Sequence, residues 1–405
     1  MPARRYYPDA PLPSHLQYWE RLDLDNRTAH LVDEPWRHFE PYLASRGYTL
    51  CWKYYSRDRP ETPLRPKGLT YSVAPNPFRP RSREGFVHFY DLDQDLGQTG
   101  INQTTGWLTS SASLKMAYDT QDRVCGIKAL HNSRSREEID IITYLNSPKL
   151  RACPDNHTIP ILDKIVTEEW TFIVMPYWPR SVQTCIPWEV EDYFNRLAQA
   201  LEGLAFMHRH GIAHRDISIG NMLLNVHYGV PGVYSSFARR NIALAYIDFG
   251  CARRFPAGSD PASWMGTGHW GTMDHAAPEV PRCADSVVGI GRGAPPQPYQ
   301  LAPVDIYALG SVLMRALSWE QIYCKTFGNP DHLPTAAHQV LLEFVPGYVS
   351  LLERMMHPDP TRRPSAARAL EECLAMRDAL DVSIRFAQPQ PGRGYPEIQY
   401  LRRRW

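Results

Sequence analysis

Phosphoryl transfer asks little covalent chemistry of a protein. It needs cations against phosphate oxygens, carboxylate and amide oxygens for a divalent metal, and a carboxylate to orient the attacking hydroxyl. Separated stretches of this chain supply those residue types. His214-Arg215-Asp216-Ile217-Ser218-Ile219-Gly220-Asn221 carries a carboxylate and an amide, and the apolar run Met222-Leu223-Leu224 follows it. Tyr246-Ile247-Asp248-Phe249-Gly250 is an apolar run that ends on a second carboxylate. Upstream, Val124-Cys125-Gly126-Ile127-Lys128 places a lysine at the end of a strand-like run. A glutamate follows within Glu137-Glu138-Ile139-Asp140-Ile141-Ile142. Glu138 fits best, because Ile142 one turn later then faces a core, and Glu137 is the alternative. Singly, such a lysine or glutamate is usually a solvated surface charge. Their combination is what points to a site.

In this order the stretches resemble the eukaryotic-type protein kinase family. Its V-A-I-K strand, αC glutamate, H-R-D-x-x-x-x-N loop and D-F-G turn each have a counterpart here. The resemblance implies that Lys128 grips the α and β phosphates of ATP and that Glu138 holds it there. It implies that Asp216 accepts or orients the substrate hydroxyl proton, and that Asn221 and Asp248 are Mg²⁺ ligands. Met175-Pro176-Tyr177-Trp178 fits the family's hinge, with Met175 as gatekeeper. Proline lacks an N–H. The family uses the carbonyl at that position toward adenine, and the N–H of Trp178 would supply the other bond. Gly126, Leu114 and Leu223 complete the implied nucleotide-binding set.

Further matches support the resemblance. Gly271-Thr272 and Ala277-Pro278-Glu279 resemble the end of an activation segment. Asp305-Ile306-Tyr307-Ala308-Leu309-Gly310 resembles the helix start whose aspartate braces the catalytic loop's backbone. His357-Pro358-Asp359-Pro360-Thr361-Arg362-Arg363-Pro364 resembles the turn whose arginine, here Arg363, pairs with Glu279. Thr272 is expected to bond Asp216. The family pairs the arginine at position 215 with an activation-segment phosphate. Thr267 is the first acceptor candidate, with Ser259 and Ser263 behind it. The resemblance covers residues 106–378. The Asn156-His157 stretch, the long N-terminal part and the His214–Ser218 sequence are similar to the expanded kinase-like sets of filamentous fungi. The implied activity is transfer of the γ-phosphoryl of ATP·Mg²⁺ to a protein hydroxyl, serine or threonine rather than tyrosine.

The sequence departs from the family in two places that bear on chemistry. Gly106-Trp107-Leu108-Thr109-Ser110-Ser111-Ala112-Ser113-Leu114 stands where a glycine-rich phosphate loop belongs, and at most Gly106 matches it. Glycine lets backbone amides approach phosphates and take φ > 0, so weaker ATP binding is expected. Ser218 stands where serine/threonine kinases usually carry a lysine. A pseudokinase or scaffold that binds nucleotide weakly or not at all is therefore the alternative. A small-molecule phosphotransferase fits less well, because the A-P-E segment and the helix at Asp305 build a peptide-docking platform.

The elements that must position these residues are an α+β, bilobal, protein-kinase-like fold with a small β-rich N-lobe and a larger, mostly helical C-lobe. Leu114–Tyr118 and Val124–Leu130 read as a hairpin. Ser133–Leu145 reads as a helix capped by Ser133. Ile159–Val166 and Trp170–Met175 read as two more strands. Beyond Trp188 helices are expected at Val190–His210, Asp305–Trp319, Val340–Met356 and Ser365–Arg377. The domain plan is an N-terminal Pro/aromatic-rich extension over 1–105, a kinase-like domain over 106–378 and a C-terminal tail over 379–405. Within the domain the N-lobe spans 106–176, the hinge 176–180 and the C-lobe 181–378. In the extension, Trp36 to Tyr48 reads as an amphipathic helix and 60–85 as irregular chain. Asn225–Asn241 and Pro281–Pro303 read as exposed insertions. Gly289-Ile290-Gly291-Arg292-Gly293 in the second is linker, because no strand–helix context surrounds it.

Composition is that of a soluble globular chain, with 43% hydrophobic and 21% charged residues in 405. A net charge of +1 sets up no global field that would favour nucleic acid or a membrane surface as partner, and a protein substrate is what the resemblance implies. Arg402-Arg403-Arg404 reads as a solvated tail. Eight cysteines without C-x-x-C spacing argue against zinc and for a reducing compartment. The chain opens on no apolar signal core and has no apolar run of membrane-spanning length, so a cytoplasmic or nuclear location is expected. Oligomeric state is left open.

Overall fold

The hairpin read from the sequence forms the middle of a five-stranded antiparallel sheet. The structure is a computed structural model. It describes residues 12, 17–19, 29–50, 70–71, 87–88, 112–120, 124–176, 178, 180–182, 187, 189–225, 242–256, 258–281, 297–326 and 345–386. The Gly106–Ser111 run, Tyr177, most of both insertions, the Gly289–Gly293 stretch and the C-terminal arginines lie outside these residues. The chain divides into two units. One holds Met1–Arg151, Ile159–Arg180 and Asn225–Val233, and the other holds Ala152–Thr158, Ser181–Leu224 and Tyr234–Trp405.

In the first unit, α1 (Ala29–Ser45) leads into β1 (Thr49–Leu50). β2 (Thr70–Tyr71), which lies inside the 60–85 stretch expected to be irregular, pairs with β3 (Val87–His88) just beyond it. Then come β4 (Leu114–Tyr118), β5 (Val124–His131), α2 (Arg136–Leu145), α3 (Pro148–Arg151), β6 (Asp163–Val166) and β7 (Trp170–Pro176). The sheet order is β1-β4-β5-β7-β6. β1 is unexpected: its two residues pair with Tyr118 and Ala117 of a strand that lies far downstream in sequence. This sheet therefore takes one strand, β1, from the stretch read as the N-terminal extension.

Side chains alternate across a strand, so each sheet face collects one parity. Cys125, Ile127 and Ala129 of β5 and Trp170, Phe172 and Val174 of β7 share a core with Trp19, Trp36, Phe39, Leu43 and Leu50. The helical spacing of Trp36, Phe39 and Leu43 puts them on one face of α1, and all three are fully buried. Phe39 meets Phe172 edge-on at 5.0 Å and Trp170 at 5.5 Å, while Trp19 meets Trp36 at 5.6 Å. The Trp36 indole donates to the Ala112 carbonyl at 2.9 Å, which ties α1 to the turn that enters β4.

Two sequence expectations shift. α2 starts at Arg136, with Ser135 rather than Ser133 at its N-cap and no side-chain capping bond. Ser133 Oγ lies 3.0 Å from His131 Nδ1 instead. β6 begins at Asp163, not Ile159. Pro160 has no N–H, and the Ile161 N–H goes to Asn146 Oδ1 at 2.9 Å rather than to a strand.

β8 (Arg180–Ser181) precedes the helical unit. There α4 (Val190–Arg209) is the central helix, buried on most of its surface. Its first turn is closed by a capping box between Glu189 and Asp192. β9 (Ile212–Ala213), β10 (Met222–Leu224), β11 (Leu244–Tyr246), β12 (Arg253–Arg254), β13 (Met265–Gly266) and β14 (Tyr299–Gln300) are short. β10 pairs with β11, β12 with β9 and β13 with β14, all antiparallel. α5 (Leu301–Thr326) starts before the expected Asp305, with Pro303 in its first turn where no N–H is needed. α6 (Pro346–Met355), α7 (Ala366–Ala379) and α8 (Val382–Arg385) follow. Tyr348 of α6 packs edge-on to Phe194 of α4 at 5.5 Å, and Cys373 of α7 is fully buried. Among the described residues no helix is long and apolar enough to cross a membrane.

Candidate functional site

In the first unit Leu114, Gly126, Lys128 and Met175, four of the implied nucleotide residues, share one sheet face. Lys128 registers with Leu114 on one side and Ile173 on the other, and Gly126 registers with Met175. By parity these side chains lie opposite the α1 aromatic layer. Lys128 Nζ donates to Glu138 Oε1 at 2.5 Å, with the two side chains 12% and 7% exposed. Glu137 is exposed on the other side of α2, so the structure separates the two candidates. Pro176 registers with Cys125 at the strand end, and Trp178 beyond it is buried.

In the second unit the loop between β9 and β10 is held by polar bonds. Asp305, fully buried at the start of α5, accepts from the backbone N–H groups of His214 (2.8 Å) and Arg215 (2.7 Å). It also bonds His208 Nε2 at 3.1 Å. His214 is fixed at both ring nitrogens. Nδ1 accepts from the Asp216 N–H, which puts the proton on Nε2, and Nε2 donates to the Ile247 carbonyl at 3.0 Å. The His214 ring also lies 5.1 Å from that of Phe249. Arg215 and Asp248 are the described non-glycine residues with positive φ, at 67° and 61°. Such backbone persists only where surroundings over-determine it, and both residues sit in the motifs picked from sequence.

Both oxygens of the Asp216 carboxylate are engaged. Oδ1 accepts from Thr272 N and Oγ1, each at 2.8 Å, and Oδ2 accepts from Asn221 Nδ2 at 3.0 Å. Asn221 Nδ2 also bonds the Asp216 carbonyl at 2.9 Å, which leaves the amide oxygen as that side chain's donor to a cation. Burial pushes the Asp216 carboxyl above its ordinary range. The Thr272 bonds and His214 pull it back down, and the nearby Asp248 charge pushes it up. Leu223 is buried on β10, opposite Ala245. Ser218 is buried as well.

The platform behind this loop is braced by Arg363. Its guanidinium grips Glu279 through two bonds of 2.6 and 2.8 Å and also donates to the carbonyls of His357, Pro303 and Pro358. The contact expected from sequence is thus present, with Arg363 fully buried at its side chain. Sequence reasoning missed His208, Trp270 and Tyr299. For Trp270 the available signal was a large aromatic directly before Gly271-Thr272; for the others nothing local marked them.

A divalent cation fits the second unit. Asp248 and Asn221 offer the hard oxygens that magnesium takes, and the repulsion between Asp216 and Asp248 is what a cation relieves. Among the described residues no cluster of three or more His, Cys, Asp or Glu forms a self-sufficient metal cage.

Comparison with known proteins finds kinases. The chain is 26% identical over 257 residues to a Wee1-like protein kinase of Oryza sativa subsp. japonica, covering 60% of this chain and 40% of the relative. It is 29% identical over 181 residues to a serine/threonine-protein kinase CHK1 of Mycosarcoma maydis, covering 42% and 22%. It is 24% identical over 311 residues to a serine/threonine-protein kinase SIK2 of Gallus gallus, covering 72% and 32%. It therefore spans well under half the length of each. The model of the protein kinase domain matches residues 108–374, well over half of the chain, and the chain belongs to the protein kinase family.

Proposed function

We propose that this chain is an ATP-dependent protein kinase that transfers the γ-phosphoryl of ATP·Mg²⁺ to a serine or threonine hydroxyl of a protein. The observation that carries this reading is the Asp216 carboxylate, held on both oxygens by Thr272 and Asn221 beside Asp248. A carboxylate fixed in that way can accept or orient a hydroxyl proton without reorganising. Asn221 and Asp248 would hold Mg²⁺. When bound, the metal supplies charge neutralisation for the phosphates. Lys128, restrained by Glu138, would hold the α and β phosphates. Leu114, Gly126, Met175, Pro176, Trp178 and Leu223 would bind the nucleotide's base and sugar side. Relatives named serine/threonine-protein kinases support hydroxyls of serine and threonine as acceptors.

The second reading is a pseudokinase scaffold, favoured by the missing glycines at Gly106–Leu114. Radiolabelled phosphate transfer by wild type and Asp216→Ala separates the two. The kinase reading expects transfer from wild type alone. Equal counts from both proteins overturn it. A thermal shift with ATP and Mg²⁺ is expected as well, and its absence at millimolar ATP favours the scaffold.

A further inference from the structure

Arg215 precedes the proposed base, and its side chain is buried. Its guanidinium carbon lies 4.7 Å from the centre of the Trp270 ring, and the guanidinium lies near the Tyr299 phenol. Tyr299 in turn donates to the Gly268 carbonyl at 2.7 Å, and the Trp270 indole donates to the Thr267 carbonyl at 3.0 Å. Trp270 is 45% exposed, so burial of its own surface does not explain its place. The next residue, Gly271, has φ 83°, and a Cβ there would collide with the Arg215 carbonyl and come 3.1 Å from Asp216 Oδ1. Only glycine allows that approach. The residue after it is Thr272, which holds Asp216. Trp270, Gly271 and Thr272 thus lie in sequence along Arg215 and Asp216.

We propose that Trp270 is a positioning residue for phosphoryl transfer: its ring face holds the Arg215 guanidinium, seats Gly271 and Thr272 against Asp216, and sets the 258–281 segment for catalysis without a phosphate on it. The inference rests on the kinase reading above. An aromatic face attracts a guanidinium most strongly where water is excluded, as it is around buried Arg215. The role expected from sequence for a phosphate on Thr267 is then filled by the indole face and the Tyr299 phenol. Thr267 is exposed, and its contact with Trp270 is through the backbone carbonyl, so its hydroxyl is not needed for the clamp.

The test uses the full chain, with and without phosphatase treatment, and dephosphorylated casein as acceptor. Phosphatase-treated wild type and the triple variant S259A/S263A/T267A are expected to keep kcat within about twofold. Trp270→Ala is expected to lose about tenfold or more in kcat with little change in KM for ATP, as loss of a desolvated cation–π contact predicts. Trp270→Phe should restore most of it. Arg215→Ala combined with Trp270→Ala should be no worse than the poorer single variant. Loss of transfer on phosphatase treatment that rephosphorylation restores overturns the proposal, as does a Trp270→Ala rate within twofold of wild type. Hydrogen exchange at the Thr272 amide decides it independently of activity. Faster exchange in Trp270→Ala supports the clamp, and equal protection in both proteins overturns it. Should wild type transfer no phosphate at all, the kinase reading fails and the exchange result alone judges the clamp.

Discussion

The two units position their polar residues by different means. In the first, Lys128 and Glu138 form a single ion pair on a sheet whose other face is sealed by apolar and aromatic packing from α1. In the second, Asp216 and Asn221 sit in a bonded network that runs through His214, Asp305 and Thr272. The packing is non-directional and fixes a surface, whereas hydrogen bonds fix individual atoms. A lysine reaching for phosphates tolerates a flexible stem. A base that orients a hydroxyl needs its oxygens placed to a fraction of an ångström.

Substitutions can break or sharpen that contrast. The largest effect is expected from Asp216→Asn, which removes the proposed base while keeping the shape. Transfer should fall by about 10³-fold, within the range for general bases, with thermal midpoint changed by only a few degrees. Radiolabelled transfer and a thermal melt read both, and near-normal transfer would sink the assignment. Next come two stability variants, one for each kind of support. Arg363→Ala strands Glu279 and three backbone carbonyls and should cost about 3–5 kcal/mol. Phe39→Ala opens a void among Trp19, Trp170 and Phe172 and should cost a similar ~3–5 kcal/mol. Urea unfolding followed by hydrogen exchange should place the first loss in the helical unit and the second in the sheet unit. Uniform loss of protection in both variants would remove the contrast.

Smaller effects are finer probes. Trp36→Phe keeps the ring but leaves the Ala112 carbonyl without its indole donor, at a cost of about 1–3 kcal/mol. A denaturant midpoint unchanged from wild type would show that this bond does not anchor the turn. The smallest change is in pH dependence. Burial already raises the Asp216 carboxyl, and the Thr272 hydroxyl lowers it. The base acts when deprotonated, so transfer should decline on the acid side. Thr272→Val removes the lowering bond and should move that acid limb to higher pH. A pH–rate profile of kcat/KM checks the direction.

Much of the site was legible because its parts are local. His214, Asp216 and Asn221 lie within one loop, and Asp248, though it comes after β10, the Asn225–Asn241 insertion and β11, ends an apolar run that marks it by itself. Arg363 and Glu279 lie far apart, yet each sits in its own recognisable turn. The hairpin of β4 and β5 was legible for the same reason. The start of β6 was misplaced because the Ile161 N–H found Asn146, a partner outside the strand pattern. Thr49–Leu50 is too short to register as a strand, and only pairing with Tyr118 and Ala117 makes it one.

The sequence by itself determined the residue types, their order and the periodicity of Trp36, Phe39 and Leu43. Those follow from spacing along one segment, which local sterics convert to a loop, a strand or a helix face. Only the tertiary structure decided what that face covers, that Glu138 rather than Glu137 meets Lys128, and that Trp270 lies over Arg215. Each of these choices depends on which distant surface removes an apolar or charged group from water, and no local pattern records it.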